Sequence, residues 1–125
     1  TVYPDANDNR LPSGPAQPLA ANQDFRTERQ LTPENFIDAC FYGYDGNGTI
    51  AWPESGIRLR YQASANCQHL ILYNPPKPYF AAEPVTNANN GVNLLAHGDP
   101  TSGIQVLAPG ATLRADFTVT VEVTV

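Results

Sequence analysis

Three features of this sequence predict an antiparallel all-β fold: unbroken alternation at its end, several short apolar runs, and frequent turn residues. The alternation is clearest in TLRADFTVTVEVTV, where Leu113, Ala115, Phe117, Val119, Val121, Val123 and Val125 face one way and Thr112, Arg114, Asp116, Thr118, Thr120, Glu122 and Thr124 the other. A period of two is the signature of a strand with one buried and one wet face, so a long final strand is expected here. Twelve prolines and nine glycines punctuate the chain and argue against long helices.

The remaining elements follow in order. FIDACFYGY reads as a strand, and the turn DGNG (Asp45 to Gly48) leads into TIAW, so these two runs are expected to form a hairpin. GIRLRYQA repeats the alternation, with Ile57, Leu59, Tyr61 and Ala63 opposing Arg58, Arg60 and Gln62. HLILY is a short apolar run closed by Asn74, Pro75 and Pro76, and reads as a more central strand. FAAEPVTNANNGVN carries Glu83 beside a proline and then small, turn-forming side chains, so by composition it reads as a loop. The expected architecture is an antiparallel β-sandwich or part of one. Residues 1–35 depart from the pattern: they are rich in proline and lack any sustained period, and are expected to run as an irregular surface segment ahead of the strands in 36–125. An ordered irregular stretch of that length implies something that holds it, and the outer edges of five or six strands imply a covering partner.

Composition removes several function classes. At 125 residues the chain is expected to be one domain with one modest core. Twelve acidic against seven basic residues give a net charge of −5, which offers no electrostatic reason to bind nucleic acid or an anionic membrane. No apolar run approaches the roughly 20 residues needed to span a bilayer, and TVYPDANDNR has neither the basic flank nor the apolar core of a signal peptide. Cys40 and Cys67 are read as reduced core thiols, which favours a cytoplasmic location; a single disulfide between them is the alternative.

Motifs with self-contained chemistry are few. DANDNR sets Asp5, Asn7 and Asn9 at the first, third and fifth positions of a calcium loop, but Arg10 replaces its glycine and Ala16 its closing glutamate. No cysteine or histidine pair has zinc spacing, and there is neither a phosphate loop nor a nucleophile elbow. Asn47, Gly48 and Thr49 form a glycosylation sequon, which means nothing without secretion.

The order of segments is more informative. RLPSGPAQPLAANQDFR, FIDACFYGYDG, IAWPESGIRLRYQA, HLILYNPP, FAAEPVTNANNGVN and SGIQVLAPGATLRADFTVTV, in that order, resemble the C-terminal part of an aldose 1-epimerase of the galactose mutarotase-like family, in its bacterial epimerase-like branch. The most specific pieces are the aspartate and aromatic of FIDACF, the glutamate of AAEPVTNA, and LAPG leading into the last strand. The resemblance implies a large antiparallel sandwich that interconverts the α and β anomers of a free hexose of the glucose or galactose class, with no cofactor. It makes Glu83 the base that takes the C1 hydroxyl proton, and Asp38 an acceptor for sugar hydroxyls. A carboxylate suits the first role because it is ionised at neutral pH and its basicity is tuned by burial. Arg26 and Asn93 are the further substrate-site candidates, Asn93 by holding the segment that orients Glu83; Phe41, Tyr42 and Trp52 are candidate aromatic faces for the sugar.

One departure concerns mechanism. In the family the acid and a second orienting group are histidines of the earlier half of the fold, whereas His69 lies in an apolar strand and His97 in a turn, and neither matches a catalytic motif. The N-terminal half of the same protein is therefore an expected partner, without which these residues would be inactive. The alternative is a non-catalytic carbohydrate-binding or structural module. A hexose 6-phosphate epimerase is disfavoured because only Arg10, Arg26, Arg29, Arg58, Arg60, Arg114 and Lys77 could hold a phosphate, and Arg58 and Arg60 share the wet face of one strand.

Overall fold

The computed structural model describes residues 1–5 and 11–123. The chain is all-β: among the described residues, six strands form two antiparallel three-stranded sheets. These are β1 (Asp38–Tyr42), β2 (Asn47–Trp52), β3 (Ile57–Ala63), β4 (His69–Tyr73), β5 (Ala81–Val85) and β6 (Phe117–Val123). One sheet has the order β1-β4-β5 and the other β2-β3-β6. Among the described residues one short helix, α1 (Gly91–Ala96), and two turns of 3-10 helix (Ala21–Gln23 and Pro53–Ser55) complete the regular structure. Among the described residues no helix is long and apolar enough to cross a membrane.

HLILY is the central strand of its sheet, as its uninterrupted apolar character predicts. Its neighbours are set by antiparallel registers that place Cys40 opposite Ile71 and Ile71 opposite Glu83. The outer edge of β1 is covered by the start of the chain, where Val2 bridges both Phe41 and Gln17. The Tyr3 amide donates to Cys40 O at 2.9 Å and the Tyr42 amide to Thr1 O at 3.0 Å. The described residues of this segment, 1–5 and 11–35, are otherwise irregular apart from Ala21–Gln23. Part of what holds this segment is Asn74, whose buried side chain accepts from the Ile37 amide at 2.6 Å and donates to Thr32 O and Asn35 O.

The expected hairpin between FIDACFYGY and TIAW does not form: β2 pairs with β3, and β1 with β4. The reason lies in two glycines with positive φ, Gly43 at 83° and Gly46 at 85°. The Gly43 and Tyr44 amides both donate to Gln68 O, just before β4, and Gly46 O then accepts from the Ala63 amide at the end of β3. The chain thus steps from one sheet to the other, and β2 turns into β3 through Pro53–Ser55 and the left-handed Gly56. On this hairpin Gly48 makes room for the buried Tyr61 ring, since a Cβ there would lie 1.9 Å from Tyr61 Cζ.

The last strand is shorter than its alternation predicts, beginning at Phe117 rather than Thr112. Its partner β3 ends at Ala63, and the chain beyond turns away: Ser64 and Asp116 exchange the last bonds, leaving 112–115 nothing to pair with except a side-chain bond from Asn66 to Arg114 O. Thr124 and Val125, like Asn7, Asn9 and Arg10, lie outside the described residues. The expected buried face is a second correction. Trp52, Ile57, Phe117, Val119, Val121 and Val123 are exposed, Val123 at 68%. Of that face only Tyr61 is buried; alternation correctly sorts apolar from polar side chains, but burial requires a covering layer, which the described residues do not supply over the rest of the face.

The core lies on the other sheet. Tyr3, Cys40, Ala88 and Leu94 cluster there with Ala16, Tyr42 and Ile71 against them. The loop after β5 and α1 therefore pack on the face of β1-β4-β5 that carries Cys40 and Ile71. Both cysteines are buried and free, in agreement with the reading as core thiols. Burial pushes the Cys40 thiol up in pKa, opposed by the nearby Asn89 amide.

Candidate functional site

Strand alternation and register decide which side chains share the core-bearing face of β1-β4-β5. Asp38, Cys40 and Tyr42 of β1, His69, Ile71 and Tyr73 of β4, and Ala81, Glu83 and Val85 of β5 all point to it. Three rows result across the strands: Asp38, Tyr73, Ala81; Cys40, Ile71, Glu83; and Tyr42, His69, Val85. Asp38 and Glu83 are thus separated by two strand spacings and two residues, about 12 Å between Cα atoms. Glu83 is exposed and Asp38 partly so.

Glu83 stands in the middle of a strand, not in the loop that its composition suggests. Pro84 at the next position is tolerated because β5 is the outer strand of its sheet. The turn residues act only afterwards: Asn90 adopts φ 58° and starts α1. Asp38 opens β1 directly after the buried Ile37, whose amide and carbonyl are both bonded to Asn74. A shallow concavity beside Asp38, lined also by Tyr3, Asp5, Leu11, Cys40 and Asn89, holds about 20 Å³ of water-accessible space, room for one water but not a hexose. Tyr73 and Ala81 continue the row from Asp38 across the sheet, and both are partly exposed.

The other predicted site residues are not brought to this row. Arg26 is in the irregular segment, its side chain 80% exposed and paired with Asp24. That guanidinium holds the Asp24 carboxyl well below the usual carboxylate range. Asn93 is on α1, where its side-chain amide donates to Asn90 Oδ1 at 2.6 Å and its carbonyl meets His97 Nδ1 at 2.7 Å. It stabilises the helix rather than bonding Glu83. Phe41 points to the opposite face of its sheet. Tyr42 packs on His69, with ring centroids 5.2 Å apart, and Trp52 belongs to the other sheet, from which it meets Phe80, the residue before β5.

His69 is fully buried. Its Nε2 is 2.8 Å from Thr101 O, which fixes the tautomer with the proton on Nε2, and Nδ1 has no partner among the described residues. Burial pulls its pKa below the ordinary imidazole value, opposed by the Thr101 carbonyl and the Asp99 charge. Thr101 also bonds the Asp99 carboxylate and the Tyr3 hydroxyl, so this polar cluster ties the start of the chain to the loop after α1. Such a sealed imidazole is a structural group, in keeping with its place in an apolar run.

One residue missed in the sequence is Tyr73. It lies between Asp38 and Ala81 on the same row, is partly exposed, and meets Phe36 edge-on with centroids 6.1 Å apart. The alternation of HLILY already puts Tyr73 on the face of Ile71; what was missing was the register that sets Asp38 beside it.

In comparisons with known proteins, no family model and no curated protein matches the chain.

Proposed function

We propose that these residues form the base-bearing, sugar-binding part of an aldose 1-epimerase. Glu83 takes the proton from the C1 hydroxyl of a hexose and Asp38 accepts hydrogen bonds from its other hydroxyls. The observation that carries this reading is the register: it sets two carboxylates on one sheet face, with only β4 between them, at a spacing that a pyranose and its hydroxyls fill when both side chains lean inward. Proton removal at C1 is matched by protonation of the ring oxygen. The C1–O5 bond breaks, the C1–C2 bond rotates in the open aldehyde, and closure gives the other anomer.

The acid in this reading comes from outside residues 1–125. His69 is sealed beneath Tyr3 and Tyr42, and His97 is at the exposed end of α1, bonded to Asn93. The larger mutarotase-type sandwich belongs to the same proposal. The exposed apolar face of Trp52, Ile57, Phe117, Val119, Val121 and Val123 is the kind of surface a further layer of strands covers. Two free buried thiols suit a reducing compartment such as the cytoplasm.

The test is polarimetry of freshly dissolved α-D-glucose or α-D-galactose with the protein carrying both halves of the fold. Mutarotation should be accelerated, and Glu83→Gln should remove most of the acceleration while leaving the far-UV spectrum unchanged. An equally active Glu83→Gln variant rules out this base. Sugar binding without acceleration favours the non-catalytic carbohydrate-binding module.

A further inference from the structure

We infer that Tyr73 is the platform on which the apolar side of a pyranose ring rests, a contact that rests on the sugar-site reading above. Four observations lead to it. Tyr73 is directly opposite both Asp38 and Ala81, so its Cβ is one strand spacing from the carboxylate proposed to hold the sugar hydroxyls. Tyr3, Ala88 and Leu94 cluster with Cys40, Tyr42 and Ile71, a cluster that does not include Tyr73, and Tyr73 stays partly exposed. On its far side stands Ala81, the smallest side chain that keeps a Cβ, with Glu83 two residues further along the same strand face. Finally, Phe36 braces the ring edge-on at an interplanar angle of 82°, and a braced ring loses little freedom when a ligand stacks on it.

The chemistry selects the class of ligand. Carbohydrate rings carry C–H bonds that project from their faces while their hydroxyls fan outward. An aromatic face meets the former, and carboxylates at the rim meet the latter. A closed hexose satisfies both at once; an open-chain polyol with the same hydroxyls has no flat apolar face to present. Tyr73 therefore recognises the ring itself, and the two carboxylates recognise its substituents.

Ligand-observed saturation-transfer NMR on this chain, with millimolar D-glucose and D-galactose and with D-glucitol as the open-chain control, tests the inference without requiring turnover. The expected result is transfer to the ring C–H protons of the hexoses and little to glucitol. Tyr73→Phe should retain the signal, and Tyr73→Leu, which keeps apolar bulk but removes the ring, should lower it about two- to tenfold, the scale of one lost aromatic contact. Circular dichroism and a thermal melt check that the Leu variant is folded. If Tyr73→Leu keeps full transfer while Asp38→Asn and Glu83→Gln lose it, the platform is wrong and the sugar site stands. If the parent chain gives no transfer from either hexose, the sugar site falls and the platform with it.

Discussion

Replacing Gly103 with alanine should weaken the contact between the loop after α1 and the end of β5. Gly103 has φ 74°, in the left-handed region, where an alanine costs about 1–2 kcal/mol. The space is also closed: a Cβ would sit 2.3 Å from Thr86 O, 2.8 Å from Asn87 Cα and 2.8 Å from His69 Cε1. Two of those atoms are backbone and the third belongs to a fully buried ring, so none can swing aside and the loop has to move. Overpacking of this kind costs about 1–3 kcal/mol, for a total near 3 kcal/mol. At roughly 4 °C per kcal/mol for a domain of this size, the melting midpoint should fall by about 12 °C. Thermal melts followed by circular dichroism measure it, and hydrogen exchange should show the Ala88 amide, which donates to Ser102 O, exposed earlier than the β1-β4 ladder. A Gly103→Ala melt within about 2 °C of the parent would refute the reasoning, because the strain term alone exceeds that shift.

Two further predictions concern the same framework. His69 has its pKa lowered by burial, so the unfolded chain binds its proton more tightly than the folded one. Its contribution is complete above the ordinary imidazole range and is lost as pH falls from there towards the lowered folded value; the melting temperature should drop between pH 7.5 and pH 5, and His69→Gln should flatten that dependence. Asn74→Ala removes the acceptor of the buried Ile37 amide and the donor to Thr32 O and Asn35 O, and should cost about 2–4 kcal/mol in urea denaturation, with the Ile37 amide losing its exchange protection.

The legibility of the sequence divides along the range of the interactions. Alternation and apolar runs identified GIRLRYQA and HLILY as strands and sorted Val119, Val121 and Val123 from Thr118, Thr120 and Glu122, because side-chain direction along a strand is a local property of the backbone. Composition failed at Glu83: the turn residues that follow it made the whole segment look like a loop, whereas pairing with β4 outweighs the weak strand propensity of AAEPV. The order of motifs singled out Asp38 and Glu83, but not Tyr73, whose place opposite Asp38 is set by the register of β1 and β4.

What the sequence determined by itself is the all-β character and the two faces of each long strand, both of which depend on residues close in the chain or on their individual chemistry. Only the tertiary structure decided that β1 pairs with β4 and not β2, that the final strand starts at Phe117, and that Asp38, Tyr73 and Glu83 share a face. Those outcomes hinge on long-range partners: two left-handed glycines redirect the chain between sheets, and a strand extends only as far as its neighbour offers backbone groups to bond.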